Sequence, residues 1–249
     1  MTSYGAFASV YDLMQYDVDY AFWSDKLIEK IERFKKNSRS GLELACGTGT
    51  LAIELSKRGF LMEGLDISDE MLSIAQHKSS QSRQKVRFFC QDMITFQTKK
   101  AYDFIFSMCD GINYILDNDD LNSTFCTVNN HLKASGLFIF DISSHYKLSK
   151  VIGDRTFAET FEETAYIWEN QYDQESDLLE FELTLFNKVG AAYERHEEFH
   201  TQRAYHVNEI ELLCEPYFEI LEIVDGDTFE NVKNTSQRIC FICRKKETK

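Results

Sequence analysis

The sequence predicts an α/β protein: a doubly wound, seven-stranded, mostly parallel sheet that carries an antiparallel β insertion. Three observations predict it. Between Gly41 and Phe140 short apolar runs alternate with helical patterns. The segment LELACGTGTL carries a strand through a glycine turn straight into a helix. After Ile142 the texture changes to alternating apolar and charged residues. Apolar strands separated by helices imply a parallel sheet covered on both faces, whereas strict alternation implies antiparallel strands with one wet face.

In chain order, a short aromatic arm (Tyr4, Phe7, Tyr11) precedes the stretch Tyr20 to Lys36, where Phe22, Trp23, Leu27, Ile31 and Phe34 recur near helical spacing. That is an amphipathic helix. Leu42 to Ala45, Leu61 to Leu65, Val86 to Cys90, Phe104 to Phe106 and Leu137 to Phe140 read as strands, and Thr50 to Arg58, Asp69 to Lys78 and Asp119 to Leu132 as helices. Thr156 to Asp173, Leu178 to Val189 and Tyr193 to Tyr205 then alternate like antiparallel strands. A helix from Val207 to Glu215 and two strands, Phe218 to Val224 and Arg238 to Arg244, return the chain to the core. The expected division is a core of 1–142 and 205–249, with 143–204 inserted after strand five.

A chain of 249 residues with 43% hydrophobic residues can bury a full core as one large domain. Its start shows no basic and apolar leader, and no stretch approaches about eighteen uninterrupted apolar residues, so a membrane span is not expected. Seven scattered cysteines suit buried thiols in a reducing compartment, and the cytoplasm is the expected location. A net charge of -14 argues against a surface built to neutralise nucleic-acid phosphates.

Chemistry concentrates at the glycine turn. Glycines let backbone approach a ligand and turn sharply, and the helix start offers unpaired N–H groups. GTGTLA also fits a dinucleotide fingerprint with Asp66 as its ribose acid, so nicotinamide binding stays open on this motif alone. Two further features favour a nucleoside without pyrophosphate: Glu43 lies inside the first strand, and Gln91-Asp92 follows the third. Carboxylates of Glu43, Asp66 and Asp92 at three strand ends would repel a diphosphate and favour a sulfonium and an ammonium.

On these residues the chain resembles the class I S-adenosylmethionine-dependent methyltransferases, specifically the small-molecule branch that includes sugar N-methyltransferases. The resemblance covers nearly the whole chain. It implies S-adenosylmethionine as cofactor, with Glu43 to Gly49 around its amino-acid end, Asp66 on the ribose hydroxyls, and Asp92 and Met93 beside the adenine. Tyr11 is expected to close over the cofactor, and Cys109 to Tyr114 to face the methyl group. The full cofactor set expected is Tyr11, Glu43, Ala45, Gly47, Gly49, Asp66, Ile67, Gln91, Asp92, Met93 and Cys109. Ala45 replaces a glycine common in the family. The insertion resembles a lid that excludes water and shapes the acceptor site; of its aromatic residues Phe157, Phe161, Tyr166, Trp168, Tyr172 and Phe186, most are expected in the core of the small sheet and a minority to line substrate.

Displacement at a sulfonium has a preactivated leaving group, so alignment is the main requirement, and a base helps an alcohol or acid acceptor. Asp110 and His145 are the candidate bases, and Asn113 a candidate for orienting a small-molecule acceptor. CDGINY lacks the proline of nucleic-acid amino-methylating relatives, so no nucleic-acid partner is expected. His196-Glu197-Glu198-Phe199-His200 fits a zinc-peptidase spacing, but the surrounding residues alternate like a strand, which would hold the rings roughly 13 Å apart. Cys240 and Cys243 form a CxxC inside an apolar strand. No metal site is expected. Two other readings remain, a nicotinamide-dependent oxidoreductase and a non-catalytic S-adenosylmethionine-binding module. The sequence leaves monomer and dimer open.

Overall fold

A computed structural model describes residues 4–16 and 18–247; the side chains of residues 4–6 and 9, the expected arm residue Tyr4 among them, lie outside the described set. The aromatic arm is a helix, α1 (Tyr4–Met14), followed by α2 (Tyr20–Phe34), β1 (Ser40–Leu44), α3 (Thr50–Lys57), β2 (Leu61–Asp66), α4 (Asp69–Gln81), β3 (Arg87–Cys90), β4 (Tyr102–Ser107), α5 (Asn118–His131) and β5 (Leu132–Ser143). Short side chains start the helices: Asp19 accepts from Phe22 N–H (2.9 Å), Ser68 from Met71 N–H (3.1 Å) and Asp117 from Asp120 N–H (2.9 Å). The insertion holds β6 (Thr156–Thr160), β7 (Thr164–Asp173), β8 (Leu178–Val189) and β9 (Ala192–Arg203). Then come α6 (Val207–Cys214), β10 (Phe218–Asp225) and β11 (Arg238–Lys245).

The large sheet runs β10-β11-β5-β4-β1-β2-β3. Its pairs from β5 to β3 are parallel, and β11 is antiparallel to both β5 and β10. Strands that read as continuous apolar runs sort their side chains by twos. Phe138, Phe140 and Phe241 pack on the face covered by α5 and α6, with Phe140 stacked on Phe241 at 5.0 Å. Leu137, Ile139, Phe104 and Phe106 pack on the other, against Trp23, Leu27 and Ile31 of α2 and Leu51 and Leu55 of α3.

Three details depart from the sequence reading. β5 extends beyond Leu137 to Phe140 at both ends: β11 pairs with it as far as Ser143, and Tyr102 of β4 pairs with Leu132 at its start. The stretch Thr156 to Asp173 breaks into the hairpin β6–β7. The segment after β5 winds into a π-helical turn, Lys147–Ile152.

The second sheet, β6-β7-β8-β9, is fully antiparallel. It packs on α1 through Val10, Leu183 and Leu185. Buried Asn113, in the 3₁₀ turn after β4, ties both ends of the insertion to the core. Its Nδ2 donates to Ser143 O (3.0 Å) and Arg203 O (2.8 Å), and its Oδ1 accepts from Ser143 N–H (2.8 Å). Among the described residues no helix is long and apolar enough to cross a membrane.

Candidate active site

A cavity of about 500 Å³ opens at the carboxyl ends of the central strands. Strand order reverses between β1 and β4, the place where open α/β sheets leave a crevice. Its core wall comprises Ala45, Gly47, Asp66, Ile67, Gln91, Asp92, Met93, Cys109 and Asp110; α1 contributes Tyr11, and the insertion contributes Tyr166, Trp168, Phe181, His200 and Gln202. α1 is tied down beside the glycine turn, since Asp12 accepts from Thr48 Oγ1 and pairs with Lys78, both at 2.6 Å.

The turn after β1 is left-handed at Ala45 (φ 49°), Gly47 (φ 51°) and Gly49 (φ 71°). Ala45 thus holds a conformation that costs a side-chain-bearing residue some strain, the physical reason glycine suits that position. Asp66, at the end of β2, braces the turn by accepting from Gly47 N–H (2.8 Å) and Ser68 N–H (2.9 Å). Gly49 does not line the cavity. A Cβ there would lie 2.7 Å from the Phe88 ring and would keep the positive φ. Gly49→Ala is therefore expected to lower stability by about 1–3 kcal/mol, read as a reduced thermal midpoint.

Glu43 also lies off the main cavity, beside a smaller neighbouring hollow. It is only 4% exposed and accepts from Ala52 N–H at 2.8 Å, at the start of α3. Burial pushes its carboxyl up to about 8, and the charge of Asp66 adds to the effect. The expected ring of three carboxylates is corrected to two that face the cavity, Asp66 and Asp92.

At the other end, Cys109 (φ 65°) and Asp110 (φ 56°) form a consecutive left-handed pair. Their N–H groups donate to Asp141 at 3.2 and 2.8 Å. Arg238 of β11 reaches both Asp141 (2.6 Å) and Asp110 (3.0 Å), and Gln202 Nε2 donates to Asp110 at 2.9 Å. Burial works to raise Asp110, but the charges of Arg238 and Lys147 outweigh it and hold the acid below its usual range. Fully buried Asp141 is raised, because desolvation and the charge of Asp110 exceed what Arg238 returns.

Two expected acceptor-side residues lie elsewhere. The carboxamide of Asn113 is committed to the backbone bonds that anchor the insertion. His145 lies at the base of the insertion, with Nε2 3.2 Å from Asp177 Oδ1 and its ring stacked on His206 at 4.2 Å. The longer β5 carries the chain past the cavity rim before His145, and the following turn directs Lys147 into the cavity instead. His145, Asp177 and His206 are the one three-ligand group of metal-binding types among the described residues. His196 and His200 lie on strand β9, and His200 stacks on Phe181 at 4.8 Å in the cavity wall. Lys147, Phe181, Gln202 and Arg238 carry no motif or spacing in the sequence that marks them as site residues.

A family model described as "Methyltransferase domain" matches residues 42–136. YqeM of Bacillus subtilis (strain 168), which carries a methyltransferase name, is 34% identical over 247 residues, 98% of each chain. A solved S-adenosylmethionine-dependent methyltransferase from Clostridium acetobutylicum ATCC 824 is 38% identical with a TM-score of 0.90, over 99% of this chain and all of its own. The sugar N-methyltransferase KedS8 from Streptoalloteichus sp ATCC 53650 shares the fold at 16% identity and a TM-score of 0.78, over 96% and 93% of the two chains. Nothing among these relatives favours the nicotinamide reading. The chain belongs to the class I S-adenosylmethionine-dependent methyltransferases.

Proposed function

We propose that this methyltransferase acts on a nitrogen or oxygen of a small-molecule acceptor enclosed between the core and the antiparallel sheet. The observation that carries the reading is the cavity's size and walls. A concave space of about 500 Å³, flanked by α1 and the insertion, suits a cofactor with a modest-sized acceptor. Likeness of fold to a sugar N-methyltransferase, lid included, is consistent with this.

The residues present fit the cofactor. Backbone at Ala45 and Gly47 approaches the cavity without long side chains, Asp66 and Asp92 favour cationic and hydroxyl groups, and Ile67 and Met93 offer apolar contact. S-adenosylmethionine supplies a methyl group on a positively charged leaving group. The protein's part is alignment and exclusion of water. Tyr11 covers the turn from α1, with Gln91 and Cys109 completing the wall. Asp110, held ionised by Arg238, orients the N–H or O–H of the acceptor through its remaining lone pairs. Asp66 and Asp92, which would hold the nucleoside part of the cofactor, and Asp110, which would hold the acceptor, line one continuous cavity.

Incubation with methyl-labelled cofactor and a metabolite extract is expected to label a small product; label confined to protein or nucleic acid would overturn the proposal. Asp66→Ala removes both its ribose contact and its brace on Gly47. Its affinity for S-adenosylhomocysteine is expected to fall by about 1–3 kcal/mol, roughly 5- to 150-fold by calorimetry. Unchanged affinity would remove Asp66 from the site.

A further inference from the structure

Lys147 is the one lysine or arginine among the described residues lining the cavity. Its Nζ donates to Ser143 Oγ at 3.2 Å, its one side-chain hydrogen bond among the described residues, though an ammonium carries three donors. The carboxylates whose charges reach it, Asp110, Asp227 and Asp141, are each engaged by Arg238, at 3.0, 3.5 and 2.6 Å. Desolvation, with the charge of Arg238 added, pushes this ammonium below the ordinary lysine range. A half-buried, partly desolvated cation with donors to spare is stabilised by an incoming anion.

The π-helical turn that bears Lys147 also packs against the insertion, through Leu148 and Ile152 beside Trp168 and Phe181. There the cavity wall is flat and aromatic. Phe181 and His200 stack at 4.8 Å and 18°, and Trp168 meets Phe181 edge-on at 5.6 Å. Flat unsaturated groups pack well on such surfaces.

Resting on the methyl-transfer reading above, we propose that the acceptor carries an anionic group, a carboxylate or a phosphate, that Lys147 binds, on a flat unsaturated body packed against Trp168, Phe181 and His200. The cavity then has opposite ends: Asp66 and Asp92 favour the cationic cofactor, and Lys147 receives the acceptor's anion. The arrangement selects against cationic acceptors, which would meet an ammonium whose neighbouring carboxylates are already engaged by Arg238.

The test uses protein saturated with S-adenosylhomocysteine, in phosphate-free buffer, titrated with benzoate, phenyl phosphate, benzamide and benzylamine. At least one anion is expected to bind about tenfold or more tighter than benzamide, with benzylamine weakest, and the stronger anion identifies carboxylate or phosphate. Lys147→Met should remove that preference and Lys147→Arg should keep it, each with S-adenosylhomocysteine affinity near wild type as the check on folding. The proposal is overturned by neutral or cationic probes that match the anions, by no binding of any probe, or by an anion preference that survives in Lys147→Met. The ranking on the wild-type chain needs no variant. Failure of the methyl-transfer reading would register separately, as absent S-adenosylhomocysteine binding.

Discussion

Replacement of Arg238 by methionine is expected to cost about 3–5 kcal/mol of folding stability, because it leaves two carboxylates without their shared cation. Arg238 is 8% exposed and Asp141 not exposed at all. The guanidinium also lies 5.0 Å from the Trp23 ring, a contact that methionine replaces only in part. For a chain of this size the loss corresponds to a drop in thermal midpoint of roughly 6–20 °C. The deficit should shrink as pH falls toward about 5, since protonation of the stranded acids removes the charge that burial penalises. Arg238→Met combined with Asp141→Asn should recover part of the loss, the non-additivity expected of groups in one network. A deficit under about 1 kcal/mol at neutral pH, measured by urea unfolding, would mean that water reaches these carboxylates and that the network is not a dry one.

The cluster around Arg238 also shows where sequence reading stops. Asp66 and Asp92 were legible because each directly ends or follows a strand beside a recognisable turn, and strand ends of an α/β sheet share one edge. Glu43 was legible as a strand residue only. Leu42 and Leu44 face the α5 side of the sheet, so period-two geometry sends Glu43 toward α3, where Ala52 N–H receives it. That direction follows from knowing which face each helix covers, which is tertiary information. Arg238 lies 128 residues from Asp110, and Gln202 lies 92 from it. No spacing rule links residues so distant, and only the pairing of β11 with β5 brings Arg238 to Asp141. His145 and Lys147 pose a finer problem. Both follow strand five, and three extra residues of strand decide which of them meets the cavity.

The electrostatics of the site follow from this long-range packing rather than from net charge. At -14 the chain as a whole is acidic, yet the acceptor end sets Arg238 and Lys147 against Asp110 and Asp141, close to balance. The cofactor end keeps Asp66 and Asp92 exposed to the cavity, with Glu43 held mostly protonated at neutral pH. This side of the cavity therefore carries two carboxylates, enough to favour a cation without an excess of charge that empty protein would have to hold apart.

The protonation of Glu43 itself gives the second large effect, a stability that declines with pH. In the unfolded chain its carboxyl returns to the ordinary value near 4.5, whereas the folded chain holds its proton up to about 8. Between those values the native state binds more protons than the unfolded state, so stability from this group is fully present below about 4.5 and is lost as pH rises toward about 8, with no further loss beyond. The full span amounts to on the order of 5 kcal/mol. Glu43→Gln mimics the protonated acid, keeps an oxygen for Ala52 N–H, and carries no charge at any pH. Urea unfolding of both proteins should give nearly equal stability near pH 4 and an increasing advantage for Glu43→Gln above about pH 5, levelling near pH 8 to 9. Comparison at each pH cancels every other titrating group that the two chains share. Parallel stability curves would mean that Glu43 ionises as readily in the folded chain as in water, and the carboxylate would then count as a third negative charge beside the cofactor.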